Sequence, residues 1–285
     1  MTTALFCFLA LKMTGAAMAG DRLVTWGEQI LEWSLPDLHR KVLAAPSAPV
    51  GEGGCLEADG KGLFLQEGDL LVYRRAPDWS KVRVLDHGID MHNCVVVSLL
   101  GERGVLMTQR GMQARFYSFP DFHEREVYSF YSASYQSGLV LADIDGDGLT
   151  DIFCGNYWIR SPENWKLPWH DFAIELYNQE HDSAKMTVVL EDDGTLTVAQ
   201  GHLAEGRVAR FRRPADVKQL WQEENVTILH YPHAAAPGIV AENNGPRSRV
   251  FIGGREAEAT DGAHTAFRTR FGYVLVGAEG VWLRK

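Results

Sequence analysis

One pattern recurs along this 285-residue chain and constrains its fold more than any single motif. Five segments each read as a strand, a turn, a second strand and then a proline: Leu23–Pro36, Leu63–Pro77, Val105–Pro120, Ile152–Pro162 and Leu196–Pro214. The prolines stand at 36, 77, 120, 162 and 214, in steps of 41, 43, 42 and 52 residues. After the proline comes a polar stretch and a further β-rich run, as in Lys81–Leu85, Glu126–Phe130 and Asn225–Leu229. Before the pair lies an apolar run, as in Cys94–Leu100, Gly138–Ala142 and Met186–Leu190. Each unit therefore holds about four strands, built from Val, Leu, Phe and Tyr and bounded by Gly, Asp and Pro. No stretch carries a helical period or helix caps.

A four-stranded unit cannot bury both of its faces alone, so tandem copies stack side by side. A repeat of about 42 residues predicts an all-β fold, a single β-propeller spanning residues 1–285, with seven blades favoured over six. In this reading the sixth unit, Gly238–Gly254, lacks its outer strands, and the seventh, Ala266–Lys285, has only three strands. The apolar run Ala4–Leu11 would supply the missing strand and close the ring. Two alternatives stay open. Six blades with a long insertion near residues 253–266 also fit the length. Ala4–Leu11 also fits the apolar region of a signal peptide with Ala17-Met18-Ala19 as its cleavage site, although no Lys or Arg precedes it. The missing basic residue favours a strand, and with it a cytoplasmic address over an extracytoplasmic one.

Hydrophobic residues make up 46% of the chain, enough for a sizeable core, and the net charge is −9. That sign disfavours nucleic acid and anionic membrane as partners, because both reward basic patches. A small-molecule, carbohydrate or protein ligand suits it better, bound by a monomer. Cys7, Cys55, Cys94 and Cys154 show no CxxC spacing, which excludes a zinc ribbon, and they read as four buried thiols.

The densest chemistry is the run Asp143-Ile144-Asp145-Gly146-Asp147-Gly148-Leu149-Thr150-Asp151. Carboxylates at positions 1, 3, 5 and 9 of a tight loop can converge on one hard cation. Gly146 and Gly148 let the backbone fold round it, and the carbonyl of Leu149 would complete the cage. Such an all-oxygen set favours Ca2+, which accepts six to eight oxygens in flexible geometry. An EF-hand is excluded, because its position-12 Glu falls on Cys154 and strands, not helices, flank the loop.

Leu139–Ile152, which contains this loop and its flanks, resembles the FG-GAP/VCBS repeat family. The resemblance implies propeller blades with a calcium loop between the first and second strands. Glu57-Ala58-Asp59-Gly60 and Glu191-Asp192-Asp193-Gly194 look like degenerate copies, too poor in correctly spaced carboxylates to hold an ion. A filled loop of this kind staples a blade and does no chemistry.

A second constellation lies just before the inner strand of successive units. His92, Tyr135, His181, His233 and His264 stand at or near one register. In a propeller these residues would converge at the mouth of the central channel. Neutral imidazoles gathered there could ligate a second divalent metal or serve as general acid and base, with Tyr135 as a proton donor. The placement is similar to that in propeller lyases, such as streptogramin lyases and the peptidylglycine lyase domain, which implies a metal-dependent lyase or isomerase. The competing reading is that each histidine braces its strand against a neighbouring blade. Among eight tryptophans, Trp158, Trp165 and Trp169 crowd one unit and could form a carbohydrate-stacking platform.

Overall fold

The computed structural model describes residues 12–132, 134–176, 185–201, 205–243, 248–257 and 262–284. Every helix or strand among them is a strand, and the strands form seven sheets in chain order. The first holds β1 (Met13–Ala19), β2 (Arg22–Gly27), β3 (Ile30–Ser34) and β4 (His39–Ala44). The second holds β5 (Val50–Leu56), β6 (Gly62–Glu67), β7 (Leu70–Arg75) and β8 (Val82–His87). The third holds β9 (Met91–Leu99), β10 (Glu102–Gln109), β11 (Met112–Ser118) and β12 (His123–Phe130). A two-residue strand, β13 (Tyr135–Gln136), precedes the fourth sheet of β14 (Val140–Ala142), β15 (Asp151–Cys154), β16 (Tyr157–Arg160) and β17 (His170–Ala173). The fifth holds β18 (Lys185–Leu190), β19 (Leu196–Gly201), β20 (Gly206–Arg212) and β21 (Gln222–Leu229). The sixth is β22 (Pro232–Ala236), β23 (Ile239–Glu242), β24 (Arg249–Ile252) and β25 (Arg255–Glu256), and the seventh is β26 (Ala263–Thr269), β27 (Gly272–Gly277) and β28 (Val281–Arg284).

Within each sheet the strands pair in chain order. The second strands are buried along almost their whole length, as in β2, β6, β15 and β19. The outermost strands β8 and β21 are largely exposed. A strand covered on both faces must be apolar at consecutive positions, which is why the second strands read so clearly in the sequence. The repeated prolines all sit in the turn between the third and fourth strands, and the peptide bonds before Pro36, Pro77 and Pro120 are cis.

The chain divides into two compact units, Met91–Gly238 and Met1–Asp90 with Ile239–Lys285. In the first, Leu106 and Phe116 of the third sheet pack with Ile152, Ile159 and Trp169 of the fourth. Phe153 and Trp158 of the fourth sheet in turn pack with Met186, Val198 and Phe211 of the fifth. In the second unit, Trp26 and Ile30 pack with Leu63 and Leu65, and Val274 and Val276 of the seventh sheet pack with Met13, Leu23 and Trp33 of the first. The Met13 N–H donates to the Ala278 carbonyl at 2.9 Å, tying the first sheet to the seventh. The second sheet also buries an ion pair, Arg74 with Glu67.

Three expectations change. The sixth sheet is complete, because its first strand is β22, upstream of Gly238, and its short fourth strand is β25. A six-bladed reading with an insertion near residues 253–266 is therefore wrong: residues 255–256 and 263–269 are strands there. The seventh sheet has three strands among the described residues, and the proposed closing strand Ala4–Leu11 lies outside them. Cys55 and Cys94 are not thiols, since both are disulfide-bonded. A disulfide needs close approach of residues distant in sequence, which spacing cannot reveal.

Cys154 is a free thiol, fully buried in the fourth sheet, and burial pushes it well above the ordinary thiol range. Only the thiolate reacts, so alkylation of the native protein is expected to spare Cys154 until the chain unfolds. Peptide mapping checks this, and rapid native labelling at Cys154 would contradict the packing.

Candidate functional site

The acidic run is the connection from β14 to β15, the first and second strands of the fourth sheet. Gly146 and Gly148 take positive φ, 82° and 85°, in the left-handed region that favours glycine. The carboxylates organise the loop backbone. Asp143 accepts from the Gly146 N–H at 2.8 Å and the Gly148 N–H at 3.0 Å. Asp151, fully buried, accepts from Ile144 N–H at 3.0 Å and Ser161 N–H at 2.7 Å. One oxygen each of Asp143, Asp145 and Asp151 lies within 4.8 Å of the others, and this is the one group of three or more metal-ligating side chains among the described residues.

Burial pushes the Asp151 carboxyl up to about 6 against its two backbone donors, and Asp145 and Asp147 raise it further. Three carboxylates converging on a point repel one another and favour a cation between them. The donor set is all oxygen and the loop is tight, which fits calcium.

One of the expected ligands is placed differently. Asp147 lies outside the converging group and faces Arg160, whose NH2 contacts it at 2.9 Å. Arg160 Nε also reaches Asp145 Oδ2 at 2.5 Å. The Leu149 N–H donates to Asp147 Oδ1 at 2.9 Å. Arg160 was missed in the sequence, although a signal existed: Arg75 and Arg160 both stand two residues before a repeated proline. A cavity of about 530 Å3 opens beside the loop, lined by Asp147, Arg160, Ser161, Glu163, Leu167 and His170 among others.

The histidine register lies at the opposite end of such sheets, where the inner strand begins. His92, His233 and His264 are each the second residue of the first strand of their sheet, in β9, β22 and β26. His181 lies outside the described residues. Tyr135 does not lead into its own sheet: β13 crosses to pair in parallel with β18, Tyr135 opposite Lys185. The crossing needs a glycine at 138, where a Cβ would meet the Val188 nitrogen at 2.5 Å. It brings Tyr135 against His92, with ring centroids 4.6 Å apart. The ladder skips His92, passing from Asn93 opposite Thr108 to Met91 opposite Gln109. It skips His264 likewise, between Ala263 and Thr265. Each histidine is thus the extra residue of a β-bulge, a device that re-aims a side chain. No sequence pattern marks such a bulge.

The tryptophan platform is overturned. Trp158 and Trp169 are buried, Trp158 stacks on Phe172, and Trp165 lies against Phe116 with the Arg125 guanidinium 5.0 Å from its ring centroid. Trp158 and Trp169 belong to the core, and Trp165, half-buried, packs against it.

Three solved structures share the arrangement. The Myceliophteria thermophila Cps50 (Swd1) β-propeller domain is 12% identical, covers 98% of each chain and has a TM-score of 0.67. The chain is a seven-bladed β-propeller. A streptogramin B lyase is 10% identical over 95% of this propeller and 92% of its own chain, with a TM-score of 0.63. The Dos1 propeller is 8% identical over 98% and 82%, with a TM-score of 0.57. No family model and no curated protein matches the chain. At these identities the likeness carries the fold and nothing of activity or ligand. Among the described residues, no helix is long and apolar enough to cross a membrane.

Proposed function

We propose that this propeller is a calcium-stapled binding scaffold, built like the FG-GAP/VCBS repeats that its acidic loop resembles. It takes a small-molecule, carbohydrate or protein ligand at the end where the inner strands begin. The observation that carries the metal is the convergence of Asp143, Asp145 and Asp151 within 4.8 Å. These three would hold Ca2+, which supplies charge neutralisation and ties the β14–β15 connection down. Asp151 anchors the group to β15 and to Ser161 beyond β16, so a bound ion would fasten three strands of the fourth blade.

A second reading is a metal-dependent lyase or isomerase that uses the histidines of the inner strands. Two observations favour it: the bulge at His92, and the His92–Tyr135 contact. Metal analysis of the dialysed protein separates the two. The scaffold reading expects one equivalent of calcium, lost with chelator and absent from Asp145→Ala. The lyase reading expects a transition metal in addition, lost from His92→Ala. Wild-type protein that retains no calcium from a calcium-containing buffer sinks the first reading.

A further inference from the structure

The same arrangement recurs in three blades. In each, an arginine of the third strand reaches the acidic connection between the first and second strands. In the second blade Arg75 of β7 pairs with Glu57, and lies 3.5 Å from Asp59. In the fifth Arg210 of β20 pairs with Asp193. In the fourth Arg160 of β16 pairs with Asp145 and Asp147. The loops of the second and fifth blades do not bring three carboxylates together among the described residues, so an arginine is the counter-charge there. Of these three blades, only the fourth has both the arginine and three converging carboxylates among the described residues.

We infer that Arg160 is a built-in competitor for the metal, and that its release sets the calcium affinity of this loop. The inference rests on the calcium reading above. Arg160 occupies one oxygen of Asp145, which belongs to the converging group, and pairs with Asp147, which lies outside it. A guanidinium and a divalent cation cannot both take these oxygens, so each weakens the other's hold by the same factor. The guanidinium has somewhere to go. Arg160 already lines the adjoining cavity, where Glu163 and open solvent can take up its donors. The metal-free loop is thereby kept folded with part of its negative charge offset, at a cost in affinity for calcium.

The test is calcium titration calorimetry with thermal melts on wild type, Arg160→Gln and Arg160→Lys. Arg160→Gln is expected to bind calcium between about five- and a hundredfold more tightly, the usual range of such couplings. Its metal-free form is expected to melt lower than the wild type, because the carboxylates then repel unopposed. Arg160→Lys should fall between, since an ammonium lacks the planar fork that spans two carboxylates. Equal or weaker calcium binding by Arg160→Gln, with the wild type binding, overturns the inference and leaves the calcium site standing. If none of the three binds calcium, the calcium reading itself has failed and this inference with it.

Discussion

Stripping calcium from this protein is expected to lower its melting temperature by about 5–10 °C relative to buffer holding calcium at a hundred times Kd. Such saturation contributes about 2.7 kcal/mol, and each kcal/mol moves a chain of this size by about 2–4 °C. Asp151→Asn should abolish the difference and also weaken the metal-free protein. The Asp151 carboxylate accepts from both Ile144 and Ser161, one bond on each oxygen. An amide can serve only one of these donors and turns its own N–H2 toward the other. A buried donor left unmatched costs about 1–3 kcal/mol. The pH dependence follows from the same residue. Burial raises the Asp151 carboxyl to about 6 in the metal-free fold, above its unfolded value of about 3.9. A raised acid stabilises the fold when protonated, so that contribution is present at low pH and is lost as pH climbs through about 6. Calcium requires the ionised form. The gap between calcium-loaded and chelated melting temperatures should therefore widen from pH 4 to pH 7. Differential scanning calorimetry in paired buffers measures it, and a gap that stays flat or narrows contradicts the site.

Breaking the ion pair in the second blade should be as damaging without involving any metal. Arg74 Nε and NH2 contact the two Glu67 oxygens at 2.6 and 3.0 Å, and both side chains are only 2% exposed. Arg74 NH1 also donates to the Trp79 carbonyl at 2.7 Å, and Ser47 N–H donates to Glu67 at 3.3 Å. Arg74→Met leaves the carboxylate buried without its counter-ion, which costs about 3–5 kcal/mol. Glu67→Leu should do similar harm by stranding the guanidinium. The double variant should recover much of the loss, because an apolar pair of similar volume avoids desolvation altogether. Urea melts of all four proteins yield the coupling energy. Additive losses would show that the pair does not act as a unit.

What the sequence determined by itself was local in origin. The second strands of the blades lie under cover on both faces, so they are continuously apolar. The turns after the third strands recur with a proline in the same place. Together these features made the blade legible from Leu23 to Pro214. The nine-residue run from Asp143 to Asp151 was equally legible, because its carboxylates sit within one loop whose glycines set its path. The tertiary structure decided whatever depends on residues far apart in the chain. It completed the sixth blade with a strand upstream of Gly238, and oxidised Cys55 and Cys94. It placed Arg160 on Asp145 and Asp147, thirteen to fifteen residues away, and left Asp147 outside the converging carboxylates. It turned Trp158 and Trp169 inward with Trp165 half-buried against the core, and carried Tyr135 across to the fifth sheet and against His92. Spacing along a loop fixes which oxygens can meet. Only packing decides which cation, a metal or an arginine of the third strand, is there to meet them.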